Sequence, residues 1–286
     1  MNDMSNLSNT VIAQSLSGRR LENKSVILTG AAGSIGRYIS RHLLREGAKV
    51  TMTGRDQTKL DAFVEELAEE GFDAENITTI VGDCADPQVC RAIVSRAVDS
   101  FGKLDVLVNN AGAAWGESFE TFPEAGWDKV MNLNVKSIFF LTQAMHGLLK
   151  AGASAVQPAK VINIASIDGL RLNPWETYSY QASKAAVINL TKRLAARLIK
   201  DGIIVTGIAP GAFASEMNKA ARDLGDIVGQ HVPAGRIGND EDMAGVAIYL
   251  AARSGNYVVG ETIAVDGGVV HAFLTESWEV DPTGGH

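Results

Sequence analysis

Disulfide and metal scaffolds are what this chain most plainly lacks. Its 286 residues hold two cysteines, Cys84 and Cys90, and neither their number nor their spacing makes a disulfide framework or a metal-ligand set. No run of 18 apolar residues is present, so no membrane-spanning helix is expected. The amino terminus from Met1 to Thr10 has neither the basic start nor the apolar stretch of a signal peptide. A cytoplasmic protein in a reducing compartment is the expectation. Basic excess is missing too: the net charge of -7 argues against a nucleic-acid or anionic-membrane surface, which needs clustered Lys and Arg. A small-molecule partner is left.

What the chain does contain is a regular alternation of short apolar runs and amphipathic stretches. Residues 1–20, rich in Ser and Asn, read as a mobile arm. Strands are expected at Ser25 to Thr29, Lys49 to Thr53, Ile77 to Val81, Leu104 to Val108, the run Val161 to Ala165, Ile203 to Ala209 and Thr262 to Val265. Helices are expected at about 35–46, 58–70, 87–101, 123–150, 178–200 and 240–253. Strands and helices in alternation with short links require an α/β fold: one Rossmann-like, doubly wound parallel sheet of about seven strands, helices on both faces, right-handed crossovers. The domain spans 21–270, with a lid at about 212–235, and 271–286 form a tail that suits docking on a neighbouring subunit.

Three features carry chemistry. Tyr180 and Lys184 lie four apart at a helix start, which stacks both side chains on one face. A fixed positive charge beside a phenol lowers its pKa from about 10 and makes it a usable proton donor; the plainer alternative is an ordinary surface pair. Ser166 follows an apolar run, so its hydroxyl emerges at the carboxyl end of a buried strand, where open α/β sheets keep their sites. The turn Gly30-Ala-Ala-Gly33-Ser34-Ile35-Gly36 between strand and helix suits a pyrophosphate, although glycines also serve tight turns that bind nothing. At the end of the second strand, Gly54-Arg55-Asp56 offers a guanidinium to a 2'-phosphate; otherwise Arg55 is a turn residue paired with Asp56.

Taken together these residues resemble the short-chain dehydrogenase/reductase family. The resemblance runs over about residues 20–270 and rests on the Thr29-Gly30 turn, Asn109-Asn110-Ala111-Gly112, Asn134, Ser166, Tyr180-x-x-x-Lys184 and Pro210-Gly211. Tyr178 is a decoy, because four residues beyond it stands Ala182. One departure is visible: the middle glycine of the family turn is Ser34, whose hydroxyl can face phosphate. The resemblance implies a catalytic tetrad of Asn134, Ser166, Tyr180 and Lys184, the asparagine bending its helix and holding a water that links the lysine to solvent. It implies cofactor contacts from Gly30, Ser34, Ile35, Gly36, Arg55, Asp83 beside the adenine, the Cys84 backbone, Asn110, Ala111, Gly112, Tyr180, Lys184, Pro210, Gly211, Phe213 and Ser215. NADP(H) is favoured by Arg55, with NAD(H) as the alternative. Trp115 opens the expected cleft, as packing or as a substrate contact. The stretches after Trp115 and Pro210 look most like the family's 3-oxoacyl-thioester (acyl carrier protein) reductases. The implied activity is NADPH-dependent reduction of a ketone or 3-oxoacyl carbonyl by a homo-oligomer, tetramer or dimer, paired through Ile138, Phe139, Leu141 and the Leu190 stripe. An NAD-dependent secondary-alcohol dehydrogenase and a catalytically silent nucleotide sensor are the other readings.

Overall fold

Seven short runs dominated by Val, Ile, Leu and Thr become the strands of one parallel sheet: β1 (Ser25–Thr29), β2 (Lys49–Gly54), β3 (Ile77–Val81), β4 (Val106–Asn109), β5 (Ala159–Ile164), β6 (Ile203–Pro210) and β7 (Thr262–Val265). The structure, a computed structural model, describes residues 19–272 except residue 155. Strand order is β3-β2-β1-β4-β5-β6-β7. Growth of the sheet therefore reverses between β1 and β4, and a crevice opens where the two following loops part company.

Side chains alternate across each strand, which divides the core into two layers. Val26, Leu28, Val50, Met52, Ile162 and Ile164 face α1 (Ser34–Arg45), α2 (Gln57–Glu69) and the late helix Asp240–Ala251. Ile27, Leu107, Val161 and Val205 face the other layer, built from α3 (Pro87–Phe101), α4 (Glu124–Met131), α5 (Ser137–Gly152) and α6 (Tyr178–Leu198). Both faces are covered, which is why the central strands read as continuous apolar runs. Two asparagines interrupt this core. Asn109 donates from Nδ2 to Asn163 Oδ1 (2.9 Å) and to Thr142 Oγ1 (3.3 Å), and Asn163 donates to Thr191 Oγ1 (2.9 Å). These bonds lock the carboxyl ends of β4 and β5 to α5 and α6, because a buried amide must find partners.

The long helix expected at 123–150 is broken. A π segment, Asn132–Lys136, separates α4 from α5, and single π turns of this kind mark places where a helix is re-aimed. The expected lid contains two short helices, α7 (Lys219–Asp223) and α8 (Gly225–Gln230), before α9 (Asp240–Ala251). Asn239 and Asp242 form a capping box at the start of α9. Of the apolar residues expected to pair subunits, Ile138 and Leu141 belong instead to the chain's own core, while Phe139 and the adjacent Phe140 remain exposed. The expected arm and tail lie almost wholly outside the described residues. Among those described, no helix is long and apolar enough to cross a membrane.

Candidate active site

The loop after β1 forms a cradle because two of its positions have no room for a side chain. Gly30 has φ of 67°, in the left-handed region that favours glycine, and a Cβ there would meet Ala111 Cα at 2.9 Å. A Cβ on Gly36 would collide with the Gly30 carbonyl oxygen and with Ala31. Gly33, which caps α1, offers no side chain to the helix start. The N–H groups of Ser34, Ile35 and Gly36 are thereby left without intrahelical partners at the positive end of the helix dipole, an arrangement suited to phosphate. Ser34, where the family has glycine, occupies the first helical position; the two positions that sterically demand glycine keep it.

Across the crevice, Asn110 holds the loop after β4 against the loop after β1. Its Nδ2 donates to the carbonyls of Thr29 (2.9 Å) and Gly30 (3.0 Å), and Thr29 Oγ1 accepts from the N–H groups of Asn110 and Ala111 (3.0 Å each). Gly112 then passes between two predicted site residues: a Cβ there would lie 3.4 Å from Asn134 Oδ1 and 3.7 Å from Lys184 Nζ. Asn134 sits within the π segment. Its Oδ1 accepts from Ala113 N (2.8 Å), and its Nδ2 donates to Ala113 O and Ser183 Oγ (both 2.9 Å). One amide proton thus braces the Ala113 loop and the other ties the π segment to Ser183 on α6.

Ser166 and the Tyr180–Lys184 pair come together because Gly169 allows it. A Cβ on Gly169 would lie 2.5 Å from the Lys184 carbonyl carbon, so only glycine lets the turn after β5 lie on the backbone of α6. Ser166 Oγ accepts from Asp168 N (3.1 Å), which fixes the hydroxyl and leaves its proton free. Lys184 is buried and donates from Nζ to the Ile164 carbonyl (2.9 Å); its Nζ lies 5.5 Å from the centroid of the Tyr180 ring.

Electrostatics differ from the sequence expectation. Burial pushes the Tyr180 phenol up to about 12, the neighbouring Ser166 hydroxyl works in the opposite direction, and the Asp168 carboxylate adds to the rise. Burial also pulls Lys184 down to about 8, with Asp168 opposing. Burial therefore outweighs the pull expected from the Lys184 ammonium, which is itself disfavoured by desolvation and bonded to a carbonyl. Tyr178, the decoy, is exposed, bonded to Glu176 and stacked edge-on against Phe119 and Phe122.

At the outer end, Arg55 and Asp83 face each other across the ends of β2 and β3, Nη1 to Oδ2 at 4.0 Å, the arginine exposed and the aspartate half-buried. Asp56 caps α2 by accepting from Lys59 N (3.1 Å), so it is not the partner of Arg55. Asp83 also accepts from Ala85 N (2.9 Å). Cys84 is buried with its sulfur 3.6 Å from Thr53 Oγ1, and burial raises its thiol to about 11. On the far wall, Pro210 ends β6, Gly211 N donates to Val265 O (2.9 Å), and Ser215 Oγ accepts from Asn218 N (2.9 Å). The Phe213 ring is buried against Gly238, which leaves only its backbone for a cofactor. Trp115 packs against Gly126 beneath Lys129.

The contacts made by four residues, Thr29, Asn163, Asp168 and Gly169, were not legible in the sequence. Thr29 belongs to a motif and Asn163 lies close to one, yet their partners are 81 and 28 residues away in the chain, a pairing that no local pattern reveals.

A parallel doubly wound sheet with a glycine cradle at its switch point defines a dinucleotide-binding class of protein. The model of the family described as enoyl-(acyl carrier protein) reductase matches residues 30–270. A rhamnolipids biosynthesis 3-oxoacyl-[acyl-carrier-protein] reductase from Pseudomonas aeruginosa is 37% identical over 251 residues, 87% of this chain and 96% of that protein. A gluconate 5-dehydrogenase from Gluconobacter oxydans is 34% identical over 261 residues, covering 89% and 96%. Among solved structures, the Pseudomonas aeruginosa RhlG/NADP active-site complex superposes with a TM-score of 0.82 at 36% identity, covering 87% of this chain and 97% of that one. A gluconate 5-dehydrogenase from Burkholderia cenocepacia, in complex with NADP and tartrate, gives 0.81 at 31%, covering 91% and 100%. The chain belongs to the short-chain dehydrogenase/reductase family of oxidoreductases.

The buried Lys184 makes stability pH-dependent. Its amine titrates near 8 in the folded chain against a reference of 10.5, so below about pH 8 folding bears the full penalty of the buried charge. That penalty fades as pH rises from about 8 to 10.5, because over this range the unfolded chain binds more protons than the folded one. Lys184→Met is expected to melt a few °C above the parent at pH 7, with the gap closing by about pH 10. Thermal unfolding across that range checks this; a gap independent of pH would show that Lys184 is not a strained cation.

Proposed function

We propose that the chain is an NADPH-dependent reductase that delivers hydride to a ketone or 3-oxoacyl carbonyl. One observation carries the reading: the buried Lys184 amine, the Asn134 brace and Gly112 converge on the crevice beside an uncapped helix start. The cradle fits a dinucleotide, since no side chain can occupy positions 30 and 36, and the exposed Arg55 guanidinium stands where strand two meets an adenosine ribose. Relatives solved with NADP support the phosphorylated form.

When bound, the reduced nicotinamide supplies the hydride. The chain's own groups supply everything else. Tyr180 stays protonated at neutral pH because burial raises its pKa, and its hydroxyl gives a proton to the carbonyl oxygen. Ser166 donates a hydrogen bond to the same oxygen, its lone pair already occupied by Asp168 N. Lys184 uses one of its three donors on Ile164 O and offers the rest to the ribose hydroxyls. Asn134 positions the loop that carries Gly112.

A second reading, oxidation of a secondary alcohol, is favoured by the 34% identity to a gluconate 5-dehydrogenase. Assaying 3-oxoacyl thioesters and simple ketones with NADPH against hydroxy acids with NADP, ranked by kcat/KM, separates the two. The oligomer is proposed to be a homotetramer of two-fold pairs, or a dimer, with the exposed, edge-on Phe139 and Phe140 in the contact.

Tyr180→Phe is expected to retain coenzyme affinity and lose roughly 10²- to 10⁴-fold in kcat; near-normal turnover would sink the mechanism. Arg55→Ala should reduce the preference for NADP over NAD by roughly ten- to a hundred-fold in kcat/KM. Gly54→Asp should invert it, and the fold accommodates the change because a Cβ there makes only ordinary contact with Leu60 at 3.5 Å. An unmoved ratio in Arg55→Ala would make NAD the better assignment. Light scattering at micromolar concentration should exceed the 30.3 kDa of one chain; a monomeric mass rejects the oligomer.

A further inference from the structure

The opposite edge of the sheet, at the amino ends of the strands and away from the glycine cradle, holds a recess whose charges do not balance. Arg19, Arg20, Lys24, Lys160 and Arg253 line it, with Glu22 as the lone carboxylate in the wall. Three of these cations are matched: Arg19 to Glu22 (2.6 Å), Arg20 to Glu46 (2.5 Å) and Lys24 to Asp105 (2.8 Å). Among the described residues, Lys160 and Arg253 have no carboxylate partner.

Lys160 is the telling member. It lies within β5, between Val106 of β4 and Ile204 of β6, on the same face as Ile162, Ile164 and α9. Only 3% of the residue is exposed, and its Nζ makes no hydrogen bond. The carboxyl end of α9, Ala251 and Ala252, lines the same recess, yet none of its carbonyls accepts from the amine. Burial alone drags the amine down to about 8, with no charged neighbour opposing. An ammonium buried without a partner is strongly disfavoured, and removing it is normally neutral or stabilising. In a chain of net charge -7, two unmatched cations at one recess point to a missing counter-ion.

We propose that this recess binds a phosphate-type oxyanion, held by Lys160 from below and by Arg253 and Lys24 from the rim. Two unmatched positive charges suit a dianion, and Gln157 and Asn256 in the same wall add amide donors. Lys24 spends two of its three N–H donors on Asp105 (2.8 Å) and Gln157 (3.1 Å), which leaves one for the ligand. The shared chemistry is the phosphoryl dianion, free or as a monoester.

The test is thermal unfolding of the full chain at pH 7 and fixed ionic strength, with chloride replaced stepwise by inorganic phosphate and, separately, by glycerol phosphate. The melting temperature is expected to rise saturably by about 2 to 4 °C once phosphate is well above its Kd. A response to both ligands assigns the site to phosphate esters, and a response to the free ion alone to inorganic phosphate. The rise should persist in Arg55→Ala, which removes the proposed 2'-phosphate contact, and in the presence of saturating NADP, which fills the glycine cradle. It should vanish in Lys160→Met, and that variant should melt at or above the parent in chloride. Should Lys160→Met fail to fold, Arg253→Ala on the half-buried rim keeps the test intact and should also lose the rise. An unsaturable rise, or one of equal size in Lys160→Met or Arg253→Ala, overturns the proposal.

Discussion

The hydrogen bonds between Thr29-Gly30 and Asn110-Ala111 are the constraint on which the rest of the site depends. β1 and β4 are neighbours in the sheet, but their loops lead to different helices and would otherwise diverge at the switch point. Thr29 Oγ1 accepts from two backbone N–H groups and the Asn110 amide returns two bonds to backbone carbonyls. Such a clasp satisfies groups that a widening crevice leaves exposed. With it closed, Gly30 is pressed against Ala111, Gly36 against Gly30, and the start of α1 takes its place at the mouth.

From that clasp the second half of the site follows by contact. Gly112 continues the clasped loop and passes between Asn134 and Lys184, so the π turn in the helix, the loop and the buried lysine share one small volume. The Asn109–Asn163 pair one residue behind holds β4, β5, α5 and α6 in register. Gly169 lets the Ser166 turn settle on α6. Polar groups buried this densely require a complete set of partners, which links the precision of the site to the packing of the sheet.

The two buried lysines show how differently one fold treats the same side chain. Lys184 gives one hydrogen bond to Ile164 O and retains donors toward the crevice, whereas Lys160, also on a central element, has none. Both amines are pulled down to about 8 by desolvation. One sits at the carboxyl edge among the predicted site residues; the other sits at the amino edge among cations.

Element identity was legible in the sequence because period and apolarity are local: β3, β5, α3 and α6 fall within a residue or two of expectation, and so do the glycine turn and the Tyr180–Lys184 spacing. Membership of the family was legible for the same reason, since its motifs are short words. Quantities that depend on where distant segments meet were not. The phenol pKa rises instead of falling because burial outweighs a lysine engaged elsewhere. That Asn134 braces the Ala113 loop and Ser183 follows from elements distant in the chain arriving at its side chain. Ile138 and Leu141 face inward because α5 turns them onto the sheet. Burial and partner choice are set by the whole chain at once, so they belong to the tertiary structure, while the pattern that selects strand, turn and helix belongs to the sequence itself.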